Sequence, residues 1–212
     1  MYLNFIFYGI YLFCLIFCLI AGGMNWHVMQ PSLKIFYVFV LLVFIGEVGA
    51  LIMEYHTGNN TQLYNFADIV QAVIVFIYFG HSLKKPVTGI VLALISLIFG
   101  IYNYYWLQES DLINSNFLLW SGLVVISLAL YSLIFLYKKD GVTKLSRFAL
   151  FWISSALLLY WMFNLLSLQV FNTFVQSNLN YALILNAGHI ASNVVCYSII
   201  ALVFHFTPRL NQ

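Results

Sequence analysis

The chain has 212 residues, of which 64% are hydrophobic and 7% charged, and its mean hydropathy is +0.97. Soluble chains carry about 25% charged residues, so a soluble globular domain is excluded and a polytopic membrane protein is implied. A formal net charge of +2 leaves no basic surface for nucleic acid, and one helical bundle accounts for the whole length as a single transmembrane domain.

Hydropathy predicts an all-α bundle of seven transmembrane helices, each near the ~20 residues a crossing requires. The predicted spans are 3–22, 35–53, 66–81, 87–106, 117–137, 148–171 and 181–206. The third is short for a crossing, which makes six the alternative count. The first begins without a basic leader or a small-residue cleavage site, and is expected to be a retained span rather than a removed signal peptide. It holds Cys14 and Cys18, which with Cys196 are expected to be small apolar packing residues rather than a disulfide or metal framework.

The connections carry turn residues, among them Gly22-Gly23, Pro31, Gly58-Asn59-Asn60, Pro86, Asp140-Gly141 and Pro208. Their shortness predicts that consecutive helices are antiparallel neighbours. Asn59-Asn60-Thr61 matches a glycosylation sequon. Tyr102, Tyr104, Tyr105 and Trp106 at one predicted helix end, and Trp26 at another, fit an interfacial aromatic belt.

Charge orients the bundle. Lys34, Lys84, Lys85, Lys138, Lys139, Lys144, Arg147 and Arg209 all fall on one side of a seven-span topology, whereas Glu54, Glu109 and Asp111 fall on the other; Asp140 alone joins the basic group. The positive-inside rule then predicts an N-terminus outside and a C-terminus in the cytoplasm. An even count would scramble this segregation.

Polar residues inside the predicted spans are the functional signal, because an unpartnered polar group in hydrocarbon is costly. Glu47 lies about 9 Å below the outer end of span two, with Glu54 at i+7 on the same face. Asn65, Asp68 and Gln71 open span three at steps of three. Asn103 lies in span four, Tyr160, Trp161 and Asn164 in span six. In span seven Asn186, His189, Asn193 and Tyr197 fall within about a quarter of the helix circumference at roughly 100° per residue.

Orientation alternates from helix to helix, yet these groups reach a similar depth. They predict one outward-facing polar cavity lined by spans two, three, six and seven, with apolar inner halves. Glu47, Asp68, Gln71, Asn164, Asn186, His189 and Asn193 are the candidate ligand-binding residues, and a Glu47–His189 pair is the first contact expected. The competing reading for Asn103, Asn164 and Asn193 is hydrogen-bonding between helices, worth about 0.6 kcal/mol each. The span serines are most simply packing residues.

No cofactor motif is present. Span seven has no lysine for a retinal Schiff base, and neither a nucleophile triad nor a phosphate-cradling glycine loop is found. Glu47, His56, Asp68 and His189 could supply zinc ligands, but HExxH and HxxxH pairs are absent. The paired histidines of alkaline-ceramidase-like seven-helix hydrolases are missing as well, so no metal is expected and catalysis is not the leading reading.

Leu63-Tyr64-Asn65 leading into span three, Phe151-Trp152-Ile153 followed by Tyr160 and Asn164, and Leu185-Asn186 through His189 and Asn193 together resemble an uncharacterised family of small, Bacteroidetes-type seven-helix membrane proteins. In that family the run into span three ends in glutamate; Gln71 stands at the matching position here. Members are often encoded near two-component sensors. The resemblance implies a sensory or accessory protein of the bacterial inner membrane. The polar cavity is expected to bind a small-molecule ligand or a partner helix, and the basic segment 138–147 to meet a membrane or cytoplasmic signalling protein; its competing reading is a topogenic, lipid-facing anchor beside the bilayer. A small-solute transporter is the alternative, and a metal-dependent intramembrane hydrolase the third reading.

Overall fold

A computed structural model of the chain describes residues 2–108, 112–138, 144–177 and 179–210. Glu109, Asp111, Lys139 and Asp140, which entered the charge pattern, lie outside the described residues. The protein is 92% helical, with no strand among the described residues. Its helices are α1 (Tyr2–Asn25), α2 (Pro31–Thr57), α3 (Thr61–Ser82), α4 (Pro86–Tyr102), α5 (Ser115–Tyr137), α6 (Ala149–Ser177) and α7 (Leu179–Phe206).

Helix ends follow the turn chemistry. Proline stands in the first turn of α2 and of α4, where its missing N–H is no loss. Gly58 ends α2 in the left-handed region at φ 73°, donating its N–H to Glu54 O. Asn59 Oδ1 accepts the Thr61 N–H at 2.9 Å as α3 begins. The third helix is 22 residues long: its polar opening turn lies within the helix rather than in a loop, which removes the apparent shortness of span three.

Among the described residues six helical stretches are long and apolar enough to cross a membrane: Ile6–Val28, Pro31–Thr57, Thr61–Ser82, Pro86–Leu107, Ser115–Tyr137 and Asn180–Arg209. A shorter apolar stretch, Ala149–Leu165, lies in α6; beyond it the sequence turns polar at Ser167, Gln169, Asn172 and Thr173. Large apolar side chains such as Phe13, Val87 and Ile98 face outward, each more than 65% exposed. An exterior of this kind is stable against lipid rather than water, and the protein is a multi-pass membrane protein.

The bundle closes on itself. α1 packs along α7, α7 along α6, α6 along α5, and α2 along α3. α3 also touches α5, while α4 packs on α3 and meets α5 only marginally. The expectation that all consecutive helices are close neighbours therefore fails at α4 and α5. Six helices form the ring, and α4 lies outside it against α3. The α3–α4 crossing is tight because both helices carry glycine there: a Cβ on Gly80 would stand 2.7 Å from the Gly89 Cα.

The two ends of the ring differ. Toward the end that bears Lys34, Lys85 and Arg209, the interior is filled by Leu15, Phe36, Phe76, Phe79, Ile200 and Phe204, all fully buried. Phe36 and Tyr78 meet ring to ring at 4.7 Å. Toward the opposite end, where α2 turns into α3, the ring opens into a cavity.

Candidate ligand cavity

The cavity has a volume of about 640 Å³ and is lined by α1, α2, α3, α5, α6 and α7. No residue of α4 lines it. It runs from Val43, Val125 and Cys196 inside the ring to Glu54, Asn60 and Thr61 at the α2–α3 turn, where Glu54 is exposed. All seven candidate residues except Asn164 line its wall; Asn164 is fully buried behind it. The helices α1 and α5, absent from the predicted lining, contribute as well.

Glu47 on α2 is held by three tyrosines. Tyr8 and Tyr64 donate their hydroxyls to Oε2 at 2.8 and 2.9 Å, and Tyr11 donates to Oε1 at 2.9 Å. Tyr8 and Tyr11 are i,i+3 neighbours on one face of α1, their rings 5.9 Å apart in an edge contact. Hydrogen bonds to a charged acceptor are worth about 1.5–3 kcal/mol each. Three of them let a carboxylate remain inside a membrane helix without a cation beside it.

The expected Glu47–His189 pair is therefore not formed. His189 Nδ1 lies 2.9 Å from Asn164 Oδ1, and Nε2 lies 3.2 Å from Asn193 Nδ2. Asn164 spends its own amide protons on Tyr160 O at 2.8 Å and Ser192 Oγ at 2.6 Å, so its oxygen must accept. That fixes the proton of His189 on Nδ1, and leaves Nε2 to accept from the Asn193 amide. Both imidazole nitrogens are engaged, so neither is open to a metal or a substrate proton. Ser192 closes the network by donating to His189 O at 2.7 Å.

Asn65 is buried and turned away from the cavity. Its Nδ2 donates to Leu112 O at 2.9 Å, and its Oδ1 accepts the Asn114 N–H at 2.8 Å. Asn103 donates to the Asn114 side chain, and Gln108 donates to Ile113 O at 2.6 Å and to Ser115 Oγ at 3.0 Å. This clamp fixes the chain entering α5 and brings Leu112 and Ile113 into the cavity wall. Of the three polar residues spaced along α3, only Asp68 and Gln71 serve the cavity.

Asp68, Gln71 and Asn186 face the cavity and have no hydrogen-bond partner among the described residues. Tyr160, Trp161 and Tyr197 form an aromatic wall beside them, with the Tyr160 and Trp161 rings 5.5 Å apart and nearly perpendicular. Trp161 is seated by Gly122 on α5, where a Cβ would come within 2.5 Å of its ring.

Glu47, His56, Asp68 and His189 do not assemble as zinc ligands: among the described residues no three His, Cys, Asp or Glu side chains converge. The tyrosines around Glu47 were the residues that polarity alone missed. Their signal was Tyr8 and Tyr11 on one helix face, at a depth on α1 matching that of Glu47 on α2.

No family model, no curated protein and no solved structure matches this chain.

Proposed function

We propose that this protein is a receptor-like or accessory membrane protein of seven spans, N-terminus outside and C-terminus cytoplasmic, which binds a small molecule in a cavity open to the outside. The observation that carries this reading is the asymmetry of the ring. A cavity of about 640 Å³, walled mostly by apolar and aromatic groups with a few free polar ones, is the usual form of a small-molecule site. It lies at the end away from Lys34, Lys84, Lys85, Lys144 and Arg209, and the positive-inside rule assigns the basic end to the cytoplasm.

A seventh crossing by α6 is supported by its length: 29 residues extend about 43 Å at 1.5 Å per residue. The close-packed interior at the basic end favours a receptor over a transporter, which would need a second opening there. A signal would pass to a cytoplasmic partner near the basic residues Lys138, Lys144 and Arg147. The resemblance to Bacteroidetes-type seven-helix proteins favours the bacterial inner membrane and a partner among two-component sensors.

Site-directed thiol labelling tests the reading. In a variant with Cys14, Cys18 and Cys196 replaced, Gln71→Cys and Asn186→Cys are expected to react with a membrane-impermeant maleimide added to the outer face. Lys144→Cys is expected to react only after permeabilisation, and Phe36→Cys not at all. Labelling of Lys144→Cys from outside, or silence at both cavity positions, refutes it.

A further inference from the structure

The cavity's charge is one-sided. Three carboxylates line it, those of Glu47, Glu54 and Asp68, and no lysine or arginine does. His189 has both ring nitrogens engaged by Asn164 and Asn193 and carries no free positive charge. The carboxylates are also provided for unequally. Glu47 receives three hydroxyls, and Glu54 is exposed and receives the Asn60 amide at 3.0 Å. Asp68, about two helical turns inside α3, receives no donor among the described residues.

A carboxylate at membrane depth with no donor from the protein faces the open cavity, and among dissolved molecules it favours one that brings a positive charge. The walls beside it suit the same visitor. Tyr160, Trp161 and Tyr197 present aromatic faces, whose negative potential attracts cations and whose carbon skeleton accepts an apolar body. Gln71 and Asn186 supply amide groups with no other partner.

We infer that the cavity binds a small organic ammonium ion, its nitrogen on the Asp68 carboxylate and its apolar body against the aromatic wall. The inference rests on the reading of the cavity as a ligand site open to the outside. An anion would meet three carboxylates. A neutral molecule would leave Asp68 without a counter-charge. A bare metal ion would lack convergent ligands, since no three His, Cys, Asp or Glu side chains come together among the described residues.

The test uses protection of a cavity thiol. The Ser167→Cys and Leu183→Cys proteins, with thiols at lining positions outside the proposed ammonium site and lacking the native cysteines, are labelled with an impermeant maleimide in the presence of phenethylammonium or benzyltrimethylammonium. The same is done with neutral 2-phenylethanol and anionic phenylacetate, which match the first cation in size. At least one of the two cations is expected to slow labelling by about tenfold at a concentration about ten times its Kd, because competitive protection scales as one plus the ratio of ligand concentration to Kd, and the neutral and anionic compounds at the same concentration are not. Asp68→Asn, nearly isosteric, is expected to abolish the protection, and Asp68→Glu to retain part of it.

Equal protection by 2-phenylethanol, protection by phenylacetate, no protection by either cation, or unchanged protection in Asp68→Asn would each overturn the proposal. The comparison among ligands on the Asp68 protein stands even if a substitution at 68 prevents folding. Failure of both thiols to label without any ligand would instead remove the open cavity itself.

Discussion

Tyr11 of the first helix donates its hydroxyl to Glu47 of the second at 2.9 Å, and this bond joins two helices that are neighbours in sequence but share little other contact. Tyr8 repeats the connection one turn away, and Tyr64 reaches the same carboxylate from α3. Removing one phenol hydroxyl should cost about 1.5–3 kcal/mol, the range for hydrogen bonds to charged groups. Tyr11→Phe, Tyr8→Phe and Tyr64→Phe are each expected to lower the melting temperature in detergent. A cycle of Tyr11→Phe with Glu47→Gln should show a coupling of about 0.5–3 kcal/mol. Strict additivity would mean that the carboxylate and the hydroxyl act independently, contrary to the geometry.

The Asn164–His189–Asn193 network should behave as one unit. Asn164→Ala leaves the His189 Nδ1 proton and Ser192 short of a partner, and is expected to cost about 1–3 kcal/mol, above the ~0.6 kcal/mol typical of a single bond between membrane helices. His189→Ala and Asn164→Ala together should cost clearly less than the sum of the two. Additive losses in melting experiments would show that the bonds are separate.

Gly122 controls the aromatic wall. A Cβ there would lie 2.5 Å from Trp161 Cε3, so Gly122→Ala should push the indole toward the cavity. Overpacking of this kind costs about 1–3 kcal/mol. Trp161→Phe in the Gly122→Ala background is expected to recover part of that loss, because the smaller ring leaves room. A thermal melt of the two variants checks it; a Gly122→Ala protein as stable as the parent would place the close contact in doubt.

The tight α3–α4 crossing predicts a harsher result at Gly89. Its added Cβ would meet Phe76 O at 2.7 Å and Gly80 Cα at 2.8 Å, and backbone cannot rotate aside as a side chain can. Gly89→Leu is expected to detach α4 from α3, read as protease cleavage near the α4 ends, with Asn186→Cys still labelled from outside because α4 does not line the cavity. Loss of cavity labelling together with α4 would refute the separation of ring and outer helix.

In Asn65→Ala two backbone groups, Leu112 O and the Asn114 N–H, lose the side chain that bonds them. A buried group left unsatisfied costs about 1–3 kcal/mol. The protein should melt earlier, and amide exchange should rise at Asn114 and its neighbours while the Glu47 cluster is undisturbed.

Hydropathy by itself determined the membrane class and the helical content, because a bilayer requires long apolar stretches whatever the helices do next. It also located the polar residues: Glu47, Asp68, Gln71, Asn186, His189 and Asn193 do share one cavity, since equal depth on neighbouring helices brings side chains together. What each touches depends on the rotation of every helix about its axis, and that was decided by packing. Tyrosine on a membrane helix reads equally as core, belt or hydrogen-bond donor until the facing helix is known, so the hydroxyls around Glu47 were not legible and a histidine partner was expected instead. Asn65 and Asp68 are three residues apart on one helix, yet one clamps the entry to α5 and the other faces the cavity. The position of α4 outside the ring was likewise tertiary: short loops make neighbours probable in general, but the glycines at 80 and 89 let α4 approach α3 closely, and α5 took the place in the ring beside α3 instead.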